Sequence, residues 1–180
     1  MDPIDLALQQ WANFFTSMSQ SGAALIGLLF VVITTAADRR PNEFAKVHVY
    51  ITPTAIYFAS VLAIGELATI PTLTRLSAAA CFCLVALSGL VYAGCLGVAH
   101  RRSKSYYERV DLINYAVIPF AGYALLALGG AILLHDIQRG LGFVAAGMIL
   151  LLMIAIRNSW AMVVNIVYTR PHGDTKRGDV

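Results

Sequence analysis

The sequence has few charged residues, and none of its charge is gathered into a basic face. Only 13% of the 180 residues are charged while 58% are hydrophobic, whereas about 25% of the residues in an average soluble domain are charged. This composition excludes an ordinary soluble domain. The net charge of +3 comes from short clusters between apolar runs, and such clusters do not follow a nucleic-acid backbone. We therefore expect a membrane protein that contacts the lipid bilayer and no nucleic acid.

Other absences narrow the function. The three cysteines, Cys81, Cys83 and Cys95, lie in one apolar run, where an odd number of thiols argues against a disulfide framework. No Lys or Arg precedes the first apolar run, which argues against a removable signal peptide. The chain also lacks a glycine-rich phosphate loop, a nucleophile motif and a zinc-ligand pattern. We expect no enzyme, no catalytic residue, no cofactor and no bound metal.

What the sequence does contain is long apolar runs. A helix needs about 20 mostly apolar residues to cross a membrane, and five segments come close to that length. The sequence therefore predicts an all-α membrane protein: one domain of residues 1–180 with a bundle of five transmembrane helices and a loosely ordered tail at 170–180. The predicted helices span about residues 11–37, 47–73, 76–99, 112–134 and 140–168.

The direction of these helices follows from the positions of the cationic residues. The segments outside the five runs carry 0, 3, 1, 4, 1 and 3 Lys and Arg residues in chain order. Short loops rich in Lys and Arg stay on the cytoplasmic side. The alternation predicts five crossings, with the N-terminus outside and the C-terminus in the cytoplasm of a bacterial inner membrane.

Glu66 is the position around which the functional hypotheses are built. It lies inside the second apolar run, with uncharged residues from Val49 to Gly65 before it and from Leu67 to Thr74 after it. A carboxylate at membrane depth is costly unless it faces a partner, the interior of the bundle or a water-filled cavity. The predicted helix bounds place Glu66 about 10 Å from the outer end. It is either a cation site or a structural carboxyl held by hydrogen bonds. The candidate partners are Ser and Thr groups in the outer half of helix one, Tyr57, Asn158, water and the same residue in other copies of an oligomer.

Polar residues of the first two helices extend this pattern. Ser17, Gln20 and Ser21 lie in the outer half of helix one, and His48 lies five helical turns before Glu66. Together with Glu66 they are the candidate ion pathway, with His48 at its inner mouth. The alternative for the helix-one residues is ordinary close packing of helices.

Small residues accompany these polar groups. Ser19, Ala23 and Gly27 recur every four residues on helix one, which allows another helix to approach closely. Ala59 and Ala63 share the side of helix two that carries Glu66. We expect this narrow side of helix two to face the interior of the bundle.

Polar groups near the inner ends have a structural interpretation. Arg157 and Asn158 interrupt the last apolar run, so the fifth helix either continues through the inner leaflet or leaves the membrane near Trp160. Arg157 can reach Asp111, Asn114 or the interface by extending its long side chain. A direct pair between Arg157 and Glu66 requires a tilted or shifted helix.

The histidines add no metal centre to this picture. His48 and His100 both lie at predicted cytoplasmic helix ends, where a shared haem or metal site is conceivable. Histidines beside arginines at helix ends are more often solvated, and we favour that interpretation. His135 and Asp136 show no ligand spacing that distinguishes them from ordinary loop residues.

Two stretches resemble a known group of proteins. Trp11, Phe14 and Phe15 precede SGAALIGLLFVVIT at 21–34, and RNSWAMVV follows at 157–164. Together they resemble small bacterial inner-membrane proteins of unknown biochemical role, some of which are labelled modulators of a membrane-anchored AAA protease. These stretches cover about a quarter of the chain. The group usually has a carboxylate where this chain has Asn165.

Two hypotheses remain. In the first, the protein is a homo-oligomeric cation channel or permeation protein in which helices one and two line the path. In the second, it is a non-conducting accessory or regulatory subunit of a larger membrane complex, such as the protease complex that the resemblance implies. Glu66 is then a buried hydrogen-bonding group.

Overall fold

The computed structural model describes residues 3–39, 41–101 and 117–168, and their side chains except those at 36–50, 99–101 and 165–168. The described residues form five helices and no strand, which confirms the all-helical prediction for them. The helices are α1 (Pro3–Arg39), α2 (Pro41–Ala68), α3 (Arg75–Arg101), α4 (Ile118–Leu133) and α5 (Ile137–Tyr168).

The lengths of the helices support a membrane protein. Within the described ranges, four apolar segments are long enough to cross a bilayer. The described part of α4 is a shorter apolar helix of 16 residues, or about 24 Å. Five crossings and their direction therefore stay predictions. The four longer segments are Pro3–Thr35, Ile51–Ala68, Arg75–Val98 and Ile137–Val164.

The end of α2 differs from the prediction. The helix ends at Ala68, so the predicted end at residue 73 is wrong. Thr69 N–H donates to the Glu66 carbonyl at 3.1 Å and Ile70 N–H donates to the Leu67 carbonyl at 3.3 Å, which tightens the last turn. Pro71 then prevents continuation, because it has no N–H and disfavours a helical conformation in the preceding residue.

Two helix starts also differ from the prediction: α1 begins at Pro3 and not near residue 11, and α2 begins at Pro41 and not near residue 47. α5 continues as one helix past Arg157 and Trp160 to Tyr168. The predicted start of the fourth helix at residue 112 and the predicted loose tail at 170–180 both lie outside the described residues.

Polar contacts gather at one end of the bundle, which we call the N-terminal end. Here the Trp11 indole N–H donates to Gln138 Oε1 at 3.1 Å, and Gln138 Nε2 donates to Gln10 Oε1 at 3.2 Å. Arg75 Nη1 donates to the Leu134 carbonyl at 3.2 Å. These bonds place the first turns of α3 and α5 beside the last turn of α4 and the third turn of α1.

The same end holds the caps of two helices. Thr74 Oγ1 accepts the Ser77 N–H at 3.2 Å at the start of α3. Asp136 Oδ1 accepts the Arg139 N–H at 3.1 Å at the start of α5, and the Arg139 guanidinium lies 3.2 Å from Asp136 Oδ2. Side chains that accept the first free N–H groups stabilise helix starts. The sequence around both caps therefore favours short loops between long helices.

Glycines bring α4 and α5 together. A Cβ on Gly129 would lie 2.7 Å from the Val144 nitrogen, and one on Gly140 would lie 2.7 Å from the Leu133 backbone. A Cβ on Gly147 would meet the Gly122 carbonyl at 2.8 Å. Because a Cβ at these positions would meet backbone atoms, α4 and α5 pack against each other backbone to backbone.

Candidate functional site

α1 and α2 approach closely around Ser19. A Cβ on Gly65 would lie 2.7 Å from Ser19 Cβ and 2.8 Å from the Phe15 carbonyl, and one on Gly22 would lie 3.1 Å from the Phe58 carbonyl. Small residues let helix backbones meet in this way. The contact brings residue 66, the next residue after Gly65, to the edge of the α1–α2 interface.

The Glu66 carboxylate has a protein partner at that edge. The Ser19 hydroxyl donates a hydrogen bond to Glu66 Oε1. Ser19 is buried, with 2% of its surface exposed, while Glu66 is exposed. One side of the carboxylate is thus tied to α1, and the rest of the group faces out of the bundle.

The depth of Glu66 follows from its neighbours on α1. Gly65 packs between Phe15 and Ser19, which lie about 6 to 12 Å along α1 from Trp11 at the N-terminal end. α2 ends two residues after Glu66, and residues 69–74 connect it to α3. The carboxylate therefore lies near the level of residues 15–19 of α1, below the N-terminal end of the bundle.

The exposed residues around Glu66 form one surface, which we call the outer α1–α2 face. Ala23 and Gly27 follow Ser19 at helical spacing, and nothing lies within 4 Å of a Cβ built on Gly27. Thr52 and Ala59 lie on the same side of α2 as Glu66. The exposed residues of this face are Thr16, Gln20, Ala23 and Gly27 on α1 with Thr52, Ala59 and Glu66 on α2.

This surface corrects the predicted orientation of α2. The narrow side of the helix points out of the bundle, so the prediction that it faces the interior is wrong. The interior is occupied instead by large side chains: Tyr57, Phe58, Val61 and Ile64 are fully buried. Burying these large side chains removes far more apolar surface from the surroundings of the bundle than burying alanines would.

The predicted ion-pathway residues are only partly brought together. Gln20 belongs to the outer α1–α2 face, but Ser17 and Ser21 lie two residues from Ser19 and so point to another side of α1. The Ser21 hydroxyl donates to the Ser17 carbonyl at 2.8 Å. The His48 side chain lies outside the described residues. Ser19, which was predicted as a packing residue and as one of the Ser and Thr groups of helix one that can hold Glu66, is the hydrogen-bond partner of Glu66.

Arg157 does not pair with Glu66. Its side chain is exposed, and its position on α5 is about 28 Å from Gln138, against about 6 to 12 Å for Glu66 from the same end. Arg139 and Asp136 form an ion pair at the start of α5. The predicted alternatives for Arg157, Asp111 and Asn114, lie outside the described residues.

Asn158 is the polar group that the prediction placed with Arg157. It is 1% exposed, and among the residues that the structure describes neither its Nδ2 nor its Oδ1 has a hydrogen-bond partner. Leaving both atoms unpaired inside a bundle is unfavourable. The residue continues the side of α5 that carries Gly140, Gly147 and Leu151, the side that faces α4.

A second polar contact joins α2 to α4 in the interior. Ser60 Oγ and the Tyr123 hydroxyl lie 2.8 Å apart, and Tyr57 packs edge-on against Tyr123 with ring centroids 6.2 Å apart. The Tyr123 ring also lies directly over Gly89 of α3. Sequence reasoning missed this cluster. The only signal was a hydroxyl at Ser60 within an apolar run, which reveals nothing about its partner.

No group of three or more metal-ligating side chains occurs in the part of the chain that the structure describes. His135 is exposed in the loop before α5. Comparison with protein-family models, with curated proteins and with solved structures finds no match for this chain. The resemblance in residues 11–34 and 157–164 stays a prediction.

Proposed function

We propose that the protein is a homo-oligomeric cation permeation protein in which the outer α1–α2 face of each copy turns toward a common axis. The observation that carries this proposal is the exposed Glu66 carboxylate, which lies below the polar end of an otherwise apolar bundle. A carboxylate in such a place calls for water or a polar partner. Several copies around an axis supply a water-filled space, and rings of carboxylates attract cations to narrow pores.

The composition of the face also suits a path between copies. Glu66, Thr16 and Gln20 supply polar side chains in the predicted outer half, and Ala23, Gly27 and Ala59 keep the middle narrow without filling it. The interior of a single bundle offers no comparable route, because its described core is apolar apart from Ser19, Thr54 and Asn158. Permeation therefore requires assembly.

Flux measured in liposomes that contain only this protein tests the proposal. We expect cation flux in the parent and a reduction of about tenfold or more in Glu66→Gln, because a fixed charge can raise the local ion concentration by that factor. Asp136→Asn is the matched control, since it removes a carboxylate from the N-terminal end and leaves the outer α1–α2 face unchanged. Flux no higher than that of empty liposomes contradicts the proposal.

A second function is favoured by the inner half of α1. Leu28, Phe30 and Val31 are each about 60% exposed, and large apolar side chains suit contact with lipid or with the helices of another protein. In this alternative the protein is a non-conducting accessory subunit of a larger membrane complex, and its small residues dock against a partner helix. The resemblance to protease modulators agrees with this alternative.

Crosslinking distinguishes the two functions. A photo-crosslinking amino acid in place of Ala59 places the probe on the outer α1–α2 face in native membranes. Adducts at multiples of the protein's own mass support the homo-oligomer, while an adduct with a different protein supports the accessory subunit. The same probe in place of Leu84, which is 67% exposed on α3, is the control for non-specific contact.

A further inference from the structure

The C-terminal turn of α2 concentrates negative charge. Glu66 lies two residues before the end of the helix, and the last turn contains no basic residue. Aligned peptide dipoles give the C-terminal end of a helix a partial negative charge, which favours a cation there and disfavours a carboxylate. Glu66 and the helix end therefore repel each other unless a positive charge lies between or beside them.

The neutral oxygen groups around this turn are engaged in hydrogen bonds within the chain. The Ser19 hydroxyl is committed to Glu66 Oε1, and the Thr69 hydroxyl donates to the Glu66 carbonyl at 2.7 Å. The cationic side chains of the nearby N-terminal end are engaged elsewhere: Arg75 binds the Leu134 carbonyl and Arg139 binds Asp136. Among the described side chains, no contact supplies the missing positive charge to Glu66.

The turn is also accessible. Thr69, Ile70, Pro71 and Thr72 are exposed in the loop that follows α2. Because α2 stops short of the N-terminal end, the carboxylate lies at the foot of this loop and not beneath a complete helix. A hydrated ion can approach from the side of the molecule that the charge pattern places outside.

We infer that the C-terminal turn of α2 is a weak binding site for a hard cation, with the free oxygen of the Glu66 carboxylate as its charged ligand and the helix end as its supporting dipole. Hard cations such as Ca²⁺ take six to eight oxygen ligands. One carboxylate and the nearby helix end leave most of those positions to water, so we expect an affinity no tighter than about millimolar, the weak end of protein Ca²⁺ sites. Charge and not ion size is then the basis of selection, and divalent ions bind more tightly than monovalent ones.

This inference deepens the proposed function because it names the ions that the site takes, but binding requires no conduction. Tb³⁺ luminescence measures it on the full-length protein in nanodiscs of zwitterionic lipid, since Tb³⁺ is a hard cation that emits when excited through a nearby tryptophan. Trp11 lies about 6 to 12 Å along α1 from the level of Glu66, whereas Trp160 lies about 33 Å from Gln138 on α5.

We expect saturable Tb³⁺ emission that millimolar Ca²⁺ displaces. Glu66→Gln should lower the Tb³⁺ affinity by about tenfold or more, while the control Asp136→Asn leaves it unchanged. Trp11→Phe should remove most of the emission and Trp160→Phe little of it. These paired variants locate the bound ion independently of any effect on folding, which the thermal melt of each variant monitors.

The outcomes separate this inference from the proposed function. Tb³⁺ binding that survives Glu66→Gln, or that disappears in Asp136→Asn instead, overturns the site. Glu66-dependent flux without Tb³⁺ binding overturns the site and retains the permeation proposal. Glu66-dependent binding without flux supports the site and rejects conduction.

Discussion

The α4–α5 interface and the outer α1–α2 face are both rich in small residues, yet only the first is covered by the chain itself. At Gly129, Gly140 and Gly147 an added Cβ would meet backbone atoms within 3 Å, whereas nothing lies within 4 Å of one on Gly27. A small residue thus indicates close approach only when a second helix is present. The outer α1–α2 face remains available to a helix of another molecule, and the proposed oligomer supplies such a helix.

The largest effect should come from adding one methyl group to the covered interface. Gly140→Ala places a Cβ 2.7 Å from the Leu133 backbone, and overpacking of this kind costs about 1 to 3 kcal/mol. Gly142→Ala is the control, because it lies on the same helix with nothing within 4 Å of the new Cβ. Thermal or denaturant unfolding in detergent should show a loss for Gly140→Ala alone; equal stabilities contradict the packing described for α4 and α5.

The exposed face should respond to the opposite kind of change. Gly27→Leu should leave the stability of the bundle almost unchanged, since the site is open within one copy. It should weaken assembly by about tenfold or more, equivalent to about 1.4 kcal/mol, because a leucine keeps neighbouring copies apart. Mass photometry in nanodiscs measures the oligomer population.

Gly94→Leu on α3 is the matched control for Gly27→Leu, since it also adds a side chain where nothing lies within 4 Å of a Cβ. An oligomer that tolerates leucine at position 27 but loses copies with leucine at position 94 would move the interface from α1 to α3.

The smallest effect should follow replacement of Asn158. Its amide is buried and unpaired, and an apolar group of similar shape removes the need to satisfy two polar atoms. We therefore expect Asn158→Leu to change the free energy of unfolding by less than about 1 kcal/mol, or to stabilise the bundle. A loss of several kcal/mol in the same unfolding assay would instead show that Asn158 has a partner in the assembled protein.

The sequence predicted the helices but not which side of α2 faces the interior. Long apolar runs predicted the helices, because the length of an apolar run determines whether a helix formed from it can cross the lipid. The end of α2 was missed because Thr69 and Pro71 close the helix while the run remains apolar to Leu73. The side of α2 that faces inward was missed because polarity and small size were taken as signs of an interior position.

The candidate site was also predicted only in part from the sequence. A carboxylate in an apolar run identified Glu66 without any structure, since such a group always needs an explanation. Its partner could not be chosen among Ser17, Ser19 and Ser21, because the choice depends on the rotation of α1 against α2. The contact of Gly22 with Phe58 and of Gly65 with Phe15 and Ser19 sets that rotation.

By itself, the sequence determined that the chain is helical and apolar, and that one acidic group in it requires a polar environment. These properties follow from composition and from the spacing of residues along a single chain. Only the tertiary structure decided that Glu66 binds Ser19 and faces outward, because both depend on which large side chains fill the space between helices. Tyr57, Phe58 and Ile64 fill that space, and their packing turns the narrow side of α2 away from the core.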